Sequence, residues 1–281
     1  MNLTGILLSA GILGGVGFGF AILIAFAHRR FWVFEDPRID GVVALLPGNN
    51  CGACGYPGCR GFAETVVAGK VAPAGCTVMN ADQRAEVAAY LGVAAGTVTQ
   101  RVARLLCAGG SDVAVQQAEY LGLSTCAAAA AVAGGGKGCT WGCLGLADCL
   151  RACTFGAIVM NDVGLPVVDP AKCTACNDCV EACPKDLFVV MPLEHQLLVQ
   201  CRNLLEGEAA TSVCRVACNA CQRCAADAPG LITMRNGLAV VDYGRYDLAS
   251  PVATNRCPTG AIVWVSGAQF GGSTRTQGVA P

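Results

Sequence analysis

Runs of cysteine are the residues of this chain whose type and spacing could do chemistry. Two lie close together: Cys139-x3-Cys143-x5-Cys149-x3-Cys153, then Cys173-x2-Cys176-x2-Cys179-x3-Cys183-Pro184. The second has the bacterial ferredoxin spacing, in which three thiolates hold one [4Fe-4S] cube and the fourth reaches across to a second cube. On that template Cys139, Cys143, Cys149 and Cys183 hold one cluster, and Cys173, Cys176, Cys179 and Cys153 hold the other. The first run departs from the template, with wider gaps and Thr154 where proline usually follows. Four thiolates also suit structural zinc, but zinc sites usually pair two short Cys-x2-Cys units across a longer gap. A disulfide framework fits less well, because the chain far exceeds small secreted scaffolds and shows no secretory processing signal.

Two further groups extend the pattern. Cys51, Cys54 and Cys59 lie in a stretch rich in glycine and proline that can bend around a cluster, and with Cys76 they make a self-contained [4Fe-4S] site. Residues 214–260 repeat the ferredoxin module in damaged form. Cys218-x2-Cys221-x2-Cys224 runs into Ala228-Pro229 where a fourth cysteine is expected, and only Cys257-Pro258 survives of the second run. Aligning Val168-Asp169 with Val241-Asp242 sets Tyr246, Ala249 and Val252 opposite Cys173, Cys176 and Cys179. Under cross-ligation the losses remove one cube entirely and leave Cys218, Cys221, Cys224 and Cys257 for the other.

Cys107, Cys126, Cys201 and Cys214 remain, one pair ahead of each module. Sixteen of the 20 cysteines are assigned to four cubes, so these suffice for a fifth if a pseudo-twofold arrangement brings them together. The alternative is buried thiols that pack as small hydrophobes.

These ligands need elements to hold them. Leu3 to Ala27 carries no charge and is long enough to span a bilayer as a helix. No basic residue precedes the apolar run, which argues against a cleaved signal peptide. Arg29 and Arg30 follow it, so the positive-inside rule places the bulk of the chain in the cytoplasm. Gly11, Gly15 and Gly19 line one face, either as a seam for a partner helix or because glycine is common in such helices. Trp32 and Phe34 follow near the interface. Asn80 is an expected cap for a helix that Gly92 ends. Ala127 to Gly138 reads as a connector, Gly267 to Pro281 as a disordered tail, and His28 and His195 as solvated side chains. With Lys+Arg 19 against Asp+Glu 20 there is no basic field for nucleic acid. No Gly-x-Gly-x-x-Gly follows a strand and no P-loop is present, so nicotinamide and flavin chemistry is expected on other chains.

The ordered combination is specific. A glycine-rich membrane helix, then Cys51-Gly-x-Cys54-Gly-x-Pro-Gly-Cys59 with distant Cys76, then Cys139-Thr-Trp-Gly-Cys143 and a ferredoxin run, resembles the B subunit of the Rnf complex over nearly the whole chain. That complex is a membrane ferredoxin:NAD oxidoreductase coupled to ion translocation. The resemblance implies an electron-transfer subunit that takes electrons from soluble ferredoxin and hands them to other subunits of a bacterial or archaeal cytoplasmic-membrane assembly. A polyferredoxin-type subunit of another membrane reductase or hydrogenase, and a non-catalytic metal-binding scaffold, are the competing readings. The expected architecture is α+β: an anchor over 1–30, a four-cysteine domain over 31–95, a two-cluster ferredoxin-like module over 96–195, a degenerate one-cluster module over 196–266, and the tail.

Overall fold

The computed structural model describes residues 3–31 and 35–270. Trp32, Phe34 and residues 271–281 lie outside them. Helix α1 covers Leu3–Phe31, and its Ala10–Phe31 part is long and apolar enough to cross a membrane. At 1.5 Å per residue its 22 residues reach about 33 Å, slightly more than a hydrocarbon core.

Three helices form the next unit: α2 (Arg38–Leu45), α3 (Gly58–Val67) and α4 (Ala81–Leu91). Val42, Phe62, Val66, Met79 and Val87 close its core, and Cys76 is buried with them. The capping box expected at α4 is present. The Gln83 N–H donates to Asn80 Oδ1 at 2.8 Å, the Gln83 side chain accepts from the Asn80 N–H at 3.1 Å, and Gly92 ends the helix at φ 66°.

The rest of the chain is one plan built twice. In the first copy, strands β1 (Arg101–Leu105) and β4 (Phe188–Pro192) pair antiparallel and enclose a hairpin of β2 (Ile158–Met160) and β3 (Pro166–Val168). Between them come the short helices α5 (Cys126–Ala131), α6 (Asp148–Ala152) and α7 (Asp178–Glu181). In the second, β5 (Leu197–Val199) pairs with β8 (Ile262–Trp264) around the hairpin β6 (Ile232–Arg235) and β7 (Leu238–Val241), with α8 (Gly207–Val213) and α9 (Arg223–Asp227) between. The Val168-Asp169 and Val241-Asp242 alignment holds in space. The Asp169 N–H donates to Ala157 O at 2.8 Å and the Asp242 N–H to Leu231 O at 2.8 Å, closing the two hairpins identically.

The two copies are bound into one body. The Ala108 N–H donates to Gln200 O at 3.0 Å, joining the ends of β1 and β5. Residues 113–117 run between the halves, with Val115 N–H donating to Val213 O and Val115 O accepting from the Gly138 N–H. Two expectations change here. Residues 267–270 are a strap rather than the start of a loose tail. Gln269, 3% exposed, bonds both the N–H and the carbonyl of Leu105, the Arg104 guanidinium donates to Gly267 O, and Phe270 packs against both module cores. The connector begins as a helix, because Thr125 accepts the Ala128 N–H and caps α5.

Candidate metal centres

None of the twenty cysteines, all among the described residues, is joined in a disulfide, and they gather four at a time around five cavities of about 310 to 370 Å³, open mouths included. Cys51, Cys54, Cys59 and Cys76 line the N-terminal cavity. Cys153, Cys173, Cys176 and Cys179 line a second, and Cys218, Cys221, Cys224 and Cys257 a third. In these the structure gathers the same thiols that the spacing groups. The other two differ. Cys126, Cys143, Cys149 and Cys183 line one, while Cys107, Cys139, Cys201 and Cys214 line a cavity at the junction of the modules. Cys126 and Cys139 have exchanged the places expected from spacing.

Backbone conformation explains the exchange. In Cys173–Cys179 the chain turns through positive φ at Ala175 (59°) and Asn177 (73°), and in Cys218–Cys224 at Ala220 (61°) and Gln222 (62°). The same pair recurs between Cys143 and Cys149, at Gly145 (74°) and Ala147 (65°). Left-handed conformation is costly for a side-chain-bearing residue, so three repeats of it mark a shared function of the loop. Between its positive-φ pair Leu146 takes the place in the loop that Cys176 and Cys221 take between theirs. Cys126 fills the gap from upstream. Asp148 accepts the Ala127 N–H at 2.9 Å, and Arg151 pairs with Asp148 while donating to the carbonyls of Ser124 (2.9 Å) and Leu146 (2.8 Å), which pins the start of α5 to the loop. The missing second ligand in a Cys143-x2-Leu146-x2-Cys149 run is the available sequence signal.

Electrostatics point to the same sets. Burial first, then neighbouring Cys126 and Cys183, push the Cys149 thiol up to about 12; burial, then Cys173 and Cys176, do so for Cys179. Cys143 and Cys201 are pushed up to about 12, chiefly by burial, and Cys224 to about 11 by burial and then Cys218 and Cys257. Thiols this buried give up their protons only to something that replaces the charge, as metal binding does. Several already receive amide hydrogen bonds of the kind a thiolate favours: Ala157 N–H donates to Cys153 Sγ at 3.3 Å. Thr77 Oγ1 in the N-terminal cavity and Asn203 Nδ2 in the junction cavity are buried polar atoms without a hydrogen-bond partner, and both line these walls. Among the described residues no three Cys, His, Asp or Glu side chains converge on a single-ion position. Zinc with arms of about 2.3 Å would draw its sulfurs within roughly 4 Å of each other. Four thiols around a cavity of about 310 to 370 Å³ suit a body with edges of its own, such as an iron–sulfur cube.

In the second module Tyr246 and Ala249, aligned with Cys173 and Cys176, pack against the core. The Tyr246 hydroxyl accepts the N–H groups of Gln196 (2.5 Å) and Leu197 (3.2 Å). His195, expected in solvent, instead stacks on Tyr243 with ring centroids 5.0 Å apart and an interplanar angle of 9°. Burial holds its imidazole below the ordinary histidine range. This stack is not legible in sequence, because it joins residues on opposite sides of a module.

Cysteine fours on two ferredoxin-like units make this an iron–sulfur electron-transfer protein. Family models agree: one for an Fe-S cluster domain matches residues 46–78, and one for a 4Fe-4S dicluster domain matches 138–188. Curated relatives extend the match to most of the chain. It is 42% identical over 261 residues, 92% of this chain and 78% of the relative, to the B subunit of the Na(+)-translocating ferredoxin:NAD(+) oxidoreductase complex of Acetobacterium woodii. It is 33% identical over 90% of this chain and 96% of the relative to the B subunit of the ion-translocating oxidoreductase complex of Methanosarcina acetivorans. Against the B subunit of the proton-translocating ferredoxin:NAD(+) oxidoreductase complex of Clostridium ljungdahlii the identity is 36% over 88% of each. The chain belongs to the family of B subunits of Rnf-type ion-translocating oxidoreductase complexes. Membership and α1 together make it a membrane-associated component of a redox complex that carries iron–sulfur clusters.

Proposed function

We propose that the chain takes single electrons from reduced ferredoxin and relays them into an ion-translocating ferredoxin:NAD oxidoreductase. Four [4Fe-4S] clusters are held in the N-terminal cavity and in those containing Cys126, Cys173 and Cys221. When bound, each cluster supplies a one-electron couple whose potential depends on burial and on hydrogen bonds to sulfur. The protein's part is to bury the thiols, aim amide donors at them and fix neighbouring sites. One observation carries the reading: Cys149-x3-Cys153 and Cys179-x3-Cys183 each place their two thiols in adjoining cavities. The proposed organisation keeps the anchor, the four-cysteine domain and the two modules as units, with Arg29 and Arg30 holding everything after α1 on the cytoplasmic side. Nicotinamide and flavin chemistry is assigned to other subunits, since no dinucleotide fingerprint occurs and the cavities described above are all lined by thiols.

The test mixes the full chain, purified anaerobically in detergent, with reduced ferredoxin from the same cell. Reoxidation of the ferredoxin, matched by reduced-cluster EPR signals and weakened by salt, is expected of a small, electrostatically steered encounter. No uptake from any reduced ferredoxin of that cell overturns the donor.

A further inference from the structure

We propose that Cys107, Cys139, Cys201 and Cys214 hold a fifth [4Fe-4S] cluster at the junction of the modules, while Cys126 serves the neighbouring cluster in the place that spacing gives to Cys139. This rests on the iron–sulfur reading of the other cavities and adds a site that neither matching family model covers, since Cys107, Cys201 and Cys214 fall outside residues 46–78 and 138–188.

The four thiols are related by the pseudo-twofold repeat. Cys107 follows β1 as Cys201 follows β5, and Cys139-x3-Cys143 repeats as Cys214-x3-Cys218. Their hydrogen bonds repeat too. Cys107 Sγ accepts the N–H groups of Gly109 (3.4 Å) and Cys143 (3.3 Å), and Cys201 Sγ accepts those of Asn203 (3.4 Å) and Cys218 (3.3 Å). Two amide donors on each of two buried sulfurs is the environment of a thiolate bound to metal, not of a thiol packed as a hydrophobe. The sulfurs converge across the module boundary: a methyl group on Gly109 would lie 3.2 Å from Cys214 Sγ and 3.5 Å from Cys107 Sγ.

The walls are supplied for an anion. Lys137 lines the cavity and its ammonium is held by the carbonyls of Gly109 and Cys143, while Arg202 lines the opposite module's side. Asn203 is 1% exposed, and its Nδ2 has no hydrogen-bond partner although its Oδ1 accepts the Leu205 N–H at 2.8 Å. A cube with sulfide corners gives that donor an acceptor. Buried donors left unmade are costly, so the orphan is a second, independent sign of a ligand at this place.

The full chain is prepared anaerobically, reconstituted with iron and sulfide, and assayed for iron, sulfide and zinc with EPR of the reduced form. About twenty irons are expected, five cubes of four. Cys139→Ala and Cys201→Ala should each remove about four irons and the same EPR signal, and the double variant should lose no more than either alone. Cys126→Ala should remove a different signal, so that Cys126→Ala with Cys201→Ala falls to about twelve irons. Signals that persist report that each variant is folded, and Cys201→Ser repeats the test with a smaller change of shape. About sixteen irons, unchanged in Cys201→Ala, overturns the junction cluster and leaves the four-cluster relay standing. A loss shared by Cys126→Ala and Cys201→Ala overturns the exchange of ligands. Stoichiometric zinc lost from Cys201→Ala overturns the cluster.

Discussion

Cys143 donates its backbone N–H to the sulfur of Cys107 over 3.3 Å, and the thiol of Cys143 itself lines the neighbouring cavity. One residue therefore orders two sites, the first through its amide and the second through its sulfur. Cys218 does the same in the second module, donating to Cys201 at 3.3 Å while its own thiol faces the Cys221 cavity. An amide bonded to sulfur favours the charged form, so neither cavity can be redesigned without disturbing the other.

If Leu146 occupies a ligand position whose sulfur now comes from Cys126, the orthodox run can be restored. Cys126→Ser should lose about four irons, and Leu146→Cys added to it should return them, because the loop already holds Gly145 and Ala147 at φ 74° and 65°. Iron content and EPR of the double variant decide this. Failure to recover would mean that the loop shape alone does not define the ligand position.

Tyr246→Phe removes the acceptor shared by the Gln196 and Leu197 amides. Leaving such donors unpaired in a partly buried site costs about 1 to 3 kcal/mol. Denaturant unfolding should show that loss with iron content unchanged, since no thiol is touched.

Gly58→Ala should weaken the N-terminal cavity. Gly58 sits at φ 75°, and a methyl there would come 2.9 Å from Asn50 Oδ1, the atom that accepts the Cys59 N–H at 2.8 Å. The left-handed conformation alone costs an alanine about 1 to 2 kcal/mol. Faster iron loss to a chelator from this one cluster is expected, with the other signals steady.

Gly15→Leu should leave the cluster domains unchanged, since among the described residues nothing lies within 4 Å of a Cβ added at Gly11, Gly15 or Gly19. Reduced co-purification of membrane subunits would then identify the glycine face as the docking seam. Unchanged co-purification would remove it.

Sequence spacing carries a cluster site well when three of its four ligands lie close together in one loop. The Cys51 to Cys76 set, the Cys173 set and the Cys221 set are gathered in space as their spacing groups them. Cys126 and Cys139 are misplaced when the first run is fitted to a four-ligand template at face value. Its Cys139-x3-Cys143 opening matches Cys214-x3-Cys218 and not a ferredoxin run, a signal present in the repeat. Other features depend on the folded chain. Nothing local to Gln269 tells that it will bond both backbone groups of Leu105, or to His195 that it will meet Tyr243.

The Cys-x3-Cys segments have a further consequence. Cys214 to Cys218, Cys139 to Cys143, Cys149 to Cys153 and Cys179 to Cys183 each span two adjoining cavities. Four peptide steps extend at most about 14 Å, so the chain itself caps the distance between neighbours, whatever loops are inserted elsewhere. The four sites beyond residue 100 are thereby strung by the chain in one unbranched line, and the N-terminal cavity shares no such segment with them.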